Sequence, residues 1–170
     1  HVLIPSCVME MDCLLKYEGD AYFMASLSEP MSCLIGAAKA QYHVKRGTYV
    51  HKMDIVEGGK CALLAAAGPM GLGAVDYLVH GPKKPSLLVV TDIDRERLDR
   101  AASIITREEA RANGVKLVYL NTASGDPLAD LGALTDNEGF DDVFVYAPVA
   151  PVIEQGDAIL GKDGCLNFFA

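Results

Sequence analysis

The chain has 170 residues, 51% hydrophobic and 22% charged, enough to build one globular domain around a core of its own and too apolar to stay disordered. A formal charge of −8, with its 15 basic residues scattered along the sequence, repels phosphate backbones and excludes nucleic acid as an expected partner. No apolar run reaches the roughly 18–20 residues of a membrane span and no charged-then-apolar leader precedes Val2, so a cytoplasmic setting without a membrane partner is expected.

Residues 1–27 mix short apolar runs with Pro5, Gly19 and Asp20 and hold no sustained period; they read as the tail of a preceding domain, with His1 a cloning remnant. Residues 28–58 read as a connecting helix and loop. The helix, Glu29 to Tyr42, starts at Pro30 and carries Met31, Leu34, Ile35 and Ala38 on one face; Arg46 to Gly58, with His51, is the loop.

From residue 59 to 170 short β-type runs alternate with helical patterns, the signature of βαβ units. Strands are predicted at Lys60–Ala67, Ser86–Thr91, Val115–Leu120, Asp142–Ala147 and Cys165–Phe169. Between them lie helices at Pro69–His80, after the cap Asp94, after the capping box at Thr106, from Asp126-Pro127 with Leu128, Leu131 and Leu134 as its stripe, and at Pro151–Leu160. The expected fold is α/β, a Rossmann doubly wound parallel sheet of order 3-2-1-4-5, truncated before a sixth strand, with the N-terminal segment left from a catalytic domain. A strand ending at the cut leaves an unpaired apolar edge, which favours a homo-oligomer.

Five cysteines (Cys7, Cys13, Cys33, Cys61, Cys165) form an odd set without a C-x-x-C pair, so they read as reduced, mostly buried thiols and not as a disulfide framework or zinc ribbon. His43, His51 and His80 have no second histidine or adjacent glutamate at a metal-binding interval.

Ala66-Ala67-Gly68-Pro69-Met70-Gly71 stands where the first strand turns into its helix, the context that a dinucleotide fingerprint needs. Gly68 lets backbone approach a pyrophosphate, Gly71 lets helix pack on strand, and the free helix N–H groups favour the anion; the first glycine of the pattern is replaced by Ala66. Asp92 follows Gly71 by 21 residues, where an acid accepts bonds from the adenosine ribose. With Ile93 beside it, it favours NAD(H); Arg95 and Arg97, each able to meet a 2′-phosphate, keep NADP(H) as the alternative. Ala147, Pro148 and Val149, at the end of the fourth strand, are expected beside the nicotinamide.

Ser28-Glu29-Pro30-Met31-Ser32, the Gly68–Gly71 turn, Val90-Thr91-Asp92 with Arg97-Leu98, and Gly139-Phe140-Asp141-Asp142 together resemble the zinc-dependent medium-chain dehydrogenases of the sorbitol dehydrogenase type. Val8 to Cys13 and Asp163 to Phe169 resemble most the subgroup of L-sorbose-1-phosphate reductases. The resemblance covers essentially the whole chain. It implies a two-domain enzyme in which zinc polarises the oxygen of a sugar phosphate or polyol while a nicotinamide gives or takes hydride. It also implies that Glu29 lies beside the zinc or its water, against the plainer reading of an acid at a helix N-terminus. The family's other zinc ligands lie in an N-terminal region not present here, so zinc is expected in the full-length parent, not on this chain, and the fragment is expected to be inactive. The alternative from another class is a free-standing NAD-sensing module.

Overall fold

A computed structural model describes residues 2–169; Ala170, and His1 with the expectation attached to it, lie outside them. The first segment forms two single-turn helices, α1 (Ser6–Glu10) and α2 (Tyr22–Ser26), which bury no residue. Apolar side chains of this segment, Leu15, Tyr22 and Phe23 among them, face outward. Helix α3 (Ser28–Lys39) buries Leu34 and Ala38 and ends three residues before Tyr42. Tyr42 instead opens a hairpin of β1 (Tyr42–Val44) and β2 (His51–Met53), in antiparallel register with His43 opposite Lys52. The expected loop at Arg46–Gly58 therefore contains a strand, and His51 lies on it, stacked on Tyr42 at 4.8 Å. At three residues each, these strands are too short for alternation to show in the sequence.

The remainder is a five-stranded sheet: β3 (Lys60–Leu64), β4 (Leu87–Asp92), β5 (Lys116–Asn121), β6 (Phe140–Val145) and β7 (Leu160–Phe168). All neighbours pair in parallel in the order β5-β4-β3-β6-β7, the expected 3-2-1-4-5 arrangement of a Rossmann sheet. The connections are α4 (Pro69–His80), α5 (Arg95–Ile104), α6 (Arg107–Ala112), α7 (Pro127–Leu134) and α8 (Ala150–Ala158). Asp94, Thr106 and Asp126 cap α5, α6 and α7 with side-chain oxygens, as their positions before helical runs predict.

Alternation along β3 divides the core. Cys61 and Leu63 join Leu34, Val75, Leu78 and Phe144 beneath α3 and α4, whereas Ala62 and Leu64 join Leu131, Val143 and Ile159 beneath α7 and α8. Of the predicted α7 stripe only Leu131 is fully buried; Leu128 is 47% exposed and rims a cleft.

Strand boundaries shift for local reasons. β3 stops at Leu64 because Ala65 turns left-handed (φ 55°). β7 starts five residues earlier than expected, since Leu160 already pairs with Phe140, after which four residues loop out before Cys165 meets Asp142. Gly139 makes room for that bulge: its φ is +81°, and a Cβ there would lie 2.5 Å from the Gly161 nitrogen. Among the thiols only Cys61 is buried; Cys7, Cys13 and Cys33 are exposed and Cys165 half-buried, and the helix carrying Cys7 buries no residue.

Carboxylates tie the start of the sheet. Asp141 Oδ2 accepts from the Lys60 N–H at 2.7 Å and Asp142 Oδ2 from the Val56 N–H at 2.8 Å, so two adjacent acids of β6 hold the segment that feeds the central strand. Asp142, 1% exposed, also receives His43 Nε2 at 2.9 Å on Oδ1, which pins the hairpin to the α3/α4 face.

Candidate functional site

The predicted nucleotide residues come together at the C-terminal ends of β3, β4 and β6. The turn after β3 is stitched to the end of β4 by three consecutive N–H groups: Ala65 donates to Thr91 Oγ1 (3.3 Å), Ala66 to the Thr91 carbonyl (2.8 Å) and Ala67 to Asp92 Oδ2 (3.1 Å). The left-handed residue is Ala65, so Ala66 tolerates its methyl where the pattern has glycine and is fully buried.

The two remaining glycines do different work. A Cβ on Gly71 would stand 1.9 Å from the Ala66 carbonyl oxygen, so glycine there is what lets α4 pack against the turn. A Cβ on Gly68 would meet nothing within 4 Å, and with φ −82° and ψ 178° its backbone does not require glycine either. What the missing side chain preserves is open space in front of the first turn of α4.

That turn has free donors. Gly68 is the N-cap, Pro69 occupies the first helical position, and no side chain caps the helix, in contrast to α5, α6 and α7. Met70 leans back on the α3/α4 core. A twelve-residue helix with uncapped N–H groups behind a vacant glycine is a cradle for an anion such as a pyrophosphate, and the residues present fit one.

Asp92, 6% exposed, is held by the turn itself: Oδ2 takes the Ala67 N–H and Oδ1 the Asp94 N–H at 3.0 Å. Each oxygen keeps a further lone pair for a hydroxyl. Ile93, 72% exposed, projects beside it. Arg97 pairs with Asp94 (3.4 Å) and Arg95 with Asp99 (3.1 Å), so both guanidinium groups are engaged on their own helix. Across the crevice, Ala147, Pro148 and Val149 follow β6, positioned by the Tyr146 N–H donating to Leu64 and by a tight turn in which the Val149 N–H donates to Ala147 at 2.8 Å. Burial beside Phe169, at 5.0 Å between rings, drives the Tyr146 phenol well above its usual range.

No protein-family model matches the chain. Curated proteins that align with all of it include mannitol-1-phosphate 5-dehydrogenase of Aliivibrio fischeri, 55% identical over 171 residues, and L-sorbose 1-phosphate reductase of Klebsiella pneumoniae, 46% over 172. This chain is a homologue of those two oxidoreductases. It spans 40% of the length of each. Zinc dependent alcohol dehydrogenase 2 of Streptococcus pneumonia shares the fold, with TM-score 0.60 at 22% identity over 85% of this chain and 35% of that one. The chain thus shares the parallel-sheet fold of that dehydrogenase, and Gly68, Asp92 and Ala147 lie at or just beyond the C-terminal ends of β3, β4 and β6.

A catalytic metal is a separate question for this homologue. Glu29, exposed in the first turn of α3, accepts from the Cys33 thiol at 3.1 Å, a bond that raises the thiol's pKa. Among the described residues no three His, Cys, Asp or Glu side chains gather as a metal would need, so the residues present do not make a zinc site. No described helix is long and apolar enough to cross a membrane. Reasoning from sequence overlooked Asp142 and its partner His43; a charged pair buried inside a strand run, Asp141-Asp142 before Val143, was the available sign.

Proposed function

We propose that this chain binds a nicotinamide dinucleotide across the Gly68–Gly71 turn and serves an oxidoreductase that interconverts a phosphorylated ketose and its polyol phosphate, as in L-sorbose 1-phosphate reduction. The observation that carries the reading is Gly68, whose missing side chain keeps space open before uncapped helix donors while neither its backbone angles nor its neighbours demand glycine. When bound, the nicotinamide supplies or accepts a hydride. The chain's part is to hold it: backbone N–H groups of Met70 and Gly71 on the pyrophosphate, Asp92 on the adenosine ribose, Ile93 along the adenine side, and Ala147 to Val149 against the nicotinamide.

NAD(H) is the favoured form. A carboxylate fixed by two N–H groups cannot turn away from a 2′-phosphate, and Arg97 and Arg95, the cations able to compensate, are held by Asp94 and Asp99. The zinc of the parent enzyme draws its remaining ligands from outside the described residues, with Glu29 beside it, and the chain alone does not turn over sugar phosphate. Titration calorimetry with NADH and NADPH tests the proposal: NADH binds and NADPH binds more weakly. Absence of NADH binding up to millimolar concentration refutes it.

A further inference from the structure

From Gln41 to Met53 the sequence holds Lys45, Arg46, Lys52 and two histidines and not one acid, while the rest of the chain carries all 23 acidic residues and only 12 of the 15 basic ones. The β1–β2 hairpin is thus a cationic arm on an anionic body. None of the three cations has an ion-pair partner among the described residues. At the arm's tip Tyr49 is completely exposed, flanked by Val50 at 56%.

The complementary surface is on the opposite face. Residues 126–163 contain nine acids and a single lysine, Lys162; Asp142 is engaged by the arm's own His43, Asp141 by the Lys60 N–H and Glu138 by the Lys60 ammonium, which leaves six of the nine for a partner. Between α7 and α8 this segment encloses a cleft of about 200 Å³ walled by Leu128, Leu131, Phe140 and Ile159; Glu138 on its rim is paired with Lys60 at 2.6 Å, whereas Asp130 of α7 and Asp157 of α8 are exposed beside it and unpaired among the described residues. The arm is pinned by His43 to Asp142 on the α3/α4 side of the sheet, whereas Leu131 and Ile159 belong to the α7/α8 side. A chain therefore cannot fill its own cleft.

We propose that the hairpin is a docking arm whose occupant is a second copy of this chain, with Tyr49 seated in the α7/α8 cleft and Lys45, Arg46 and Lys52 against the exposed acids of α7 and α8. An aromatic anchor in an apolar pocket supplies the affinity and the surrounding charges supply register and rate. Because arm and cleft lie on opposite faces, the contact is head-to-tail and grows beyond a pair unless its rotation closes a ring.

Sedimentation of the whole chain at low and high salt tests this, with circular dichroism confirming that each variant folds. Association that weakens with salt is expected, along with at least a tenfold loss of association for Tyr49→Ala and for Lys45→Glu/Arg46→Glu. Asp130→Lys/Asp157→Lys, at exposed positions of α7 and α8, should do the same, and mixing the two charge-reversed chains should restore association. A chain that stays monomeric at low salt overturns the proposal. So does association untouched by the arm variants, as pairing along the free edge of β7 would give, or sensitivity to the arm without sensitivity to Asp130 and Asp157.

Discussion

His43 Nε2 lies 2.9 Å from Asp142 Oδ1, and the second oxygen of that carboxylate holds the Val56 N–H, so one buried acid joins the hairpin, the segment before β3 and strand β6. Burial is the largest influence on Asp142 and lifts its pKa above the ordinary 3.8; the bonds from Val56 and His43 oppose it. The folded chain therefore keeps this proton to higher pH than the unfolded chain does. In that window the unfolded state binds fewer protons, so this group's contribution to stability is greatest below 3.8 and falls as pH rises through the folded value. Asp142→Asn removes that falling segment. It also sets an amide N–H against one of two donors, at a cost of about 1–3 kcal/mol near neutrality. Urea unfolding of both proteins between about pH 4 and 7 measures the two effects; a variant with the parent's pH dependence would remove Asp142 as its origin.

Gly68 and Gly71 should separate binding from folding. Gly71→Ala forces a methyl to 1.9 Å from a backbone oxygen and should destabilise the chain by about 3 kcal/mol or more. Gly68→Ala should leave stability within about 0.5 kcal/mol and weaken NADH at least tenfold, about 1.4 kcal/mol. Unchanged NADH affinity in Gly68→Ala, measured by calorimetry, would place the cofactor elsewhere.

Ala65 holds a left-handed backbone with a methyl group attached. Ala65→Gly relieves roughly 1–2 kcal/mol of strain and loses about 0.4–1 to the freer unfolded chain. A net gain of about 0.5–1 kcal/mol is expected from denaturant unfolding, and a loss of stability would show that the methyl packs productively.

Asp92→Ala strips acceptors from the Ala67 and Asp94 N–H groups and should cost about 1–3 kcal/mol of stability. Its diagnostic effect is on selectivity. NADH affinity should fall more than NADPH affinity, and equal losses would assign Asp92 to the turn alone.

Thiol labelling reads the burial directly. Cys7 and Cys13 should react fastest with an aromatic disulfide, and Cys33 more slowly because its bond to Glu29 raises its pKa. Cys61, whose pKa burial raises strongly, should react only on unfolding. Glu29→Gln should quicken Cys33; no change would mean that the Glu29 bond does not govern its reactivity.

The sheet was legible because β4 is apolar on both faces and each connecting helix announces itself with Pro69, Asp94, Thr106, Asp126 or Pro151. Gly68, Gly71 and Asp92 were legible because their spacing is set by the length of one βαβ unit. The hairpin was not: His43 and His51 sit on strands too short to carry a period, and their partners, Asp142 and Tyr42, are fixed by tertiary contact. The early start of β7 was hidden because Gly161 and Gly164, residues that weaken a strand pattern, lie within its bulged first half.

The grip of Asp141 and Asp142 on Lys60 and Val56 also bears on the order of assembly. These bonds close over 81 and 86 residues, so the entrance to the central strand cannot be fixed until the chain through β6 has arrived. The half containing β3, β4 and β5 must wait, with β3 loosely held at its entrance, for contacts of long sequence separation. That topology favours a late, entropically slow closure and leaves the chain open to self-association for as long as the side of β3 that β6 covers is exposed.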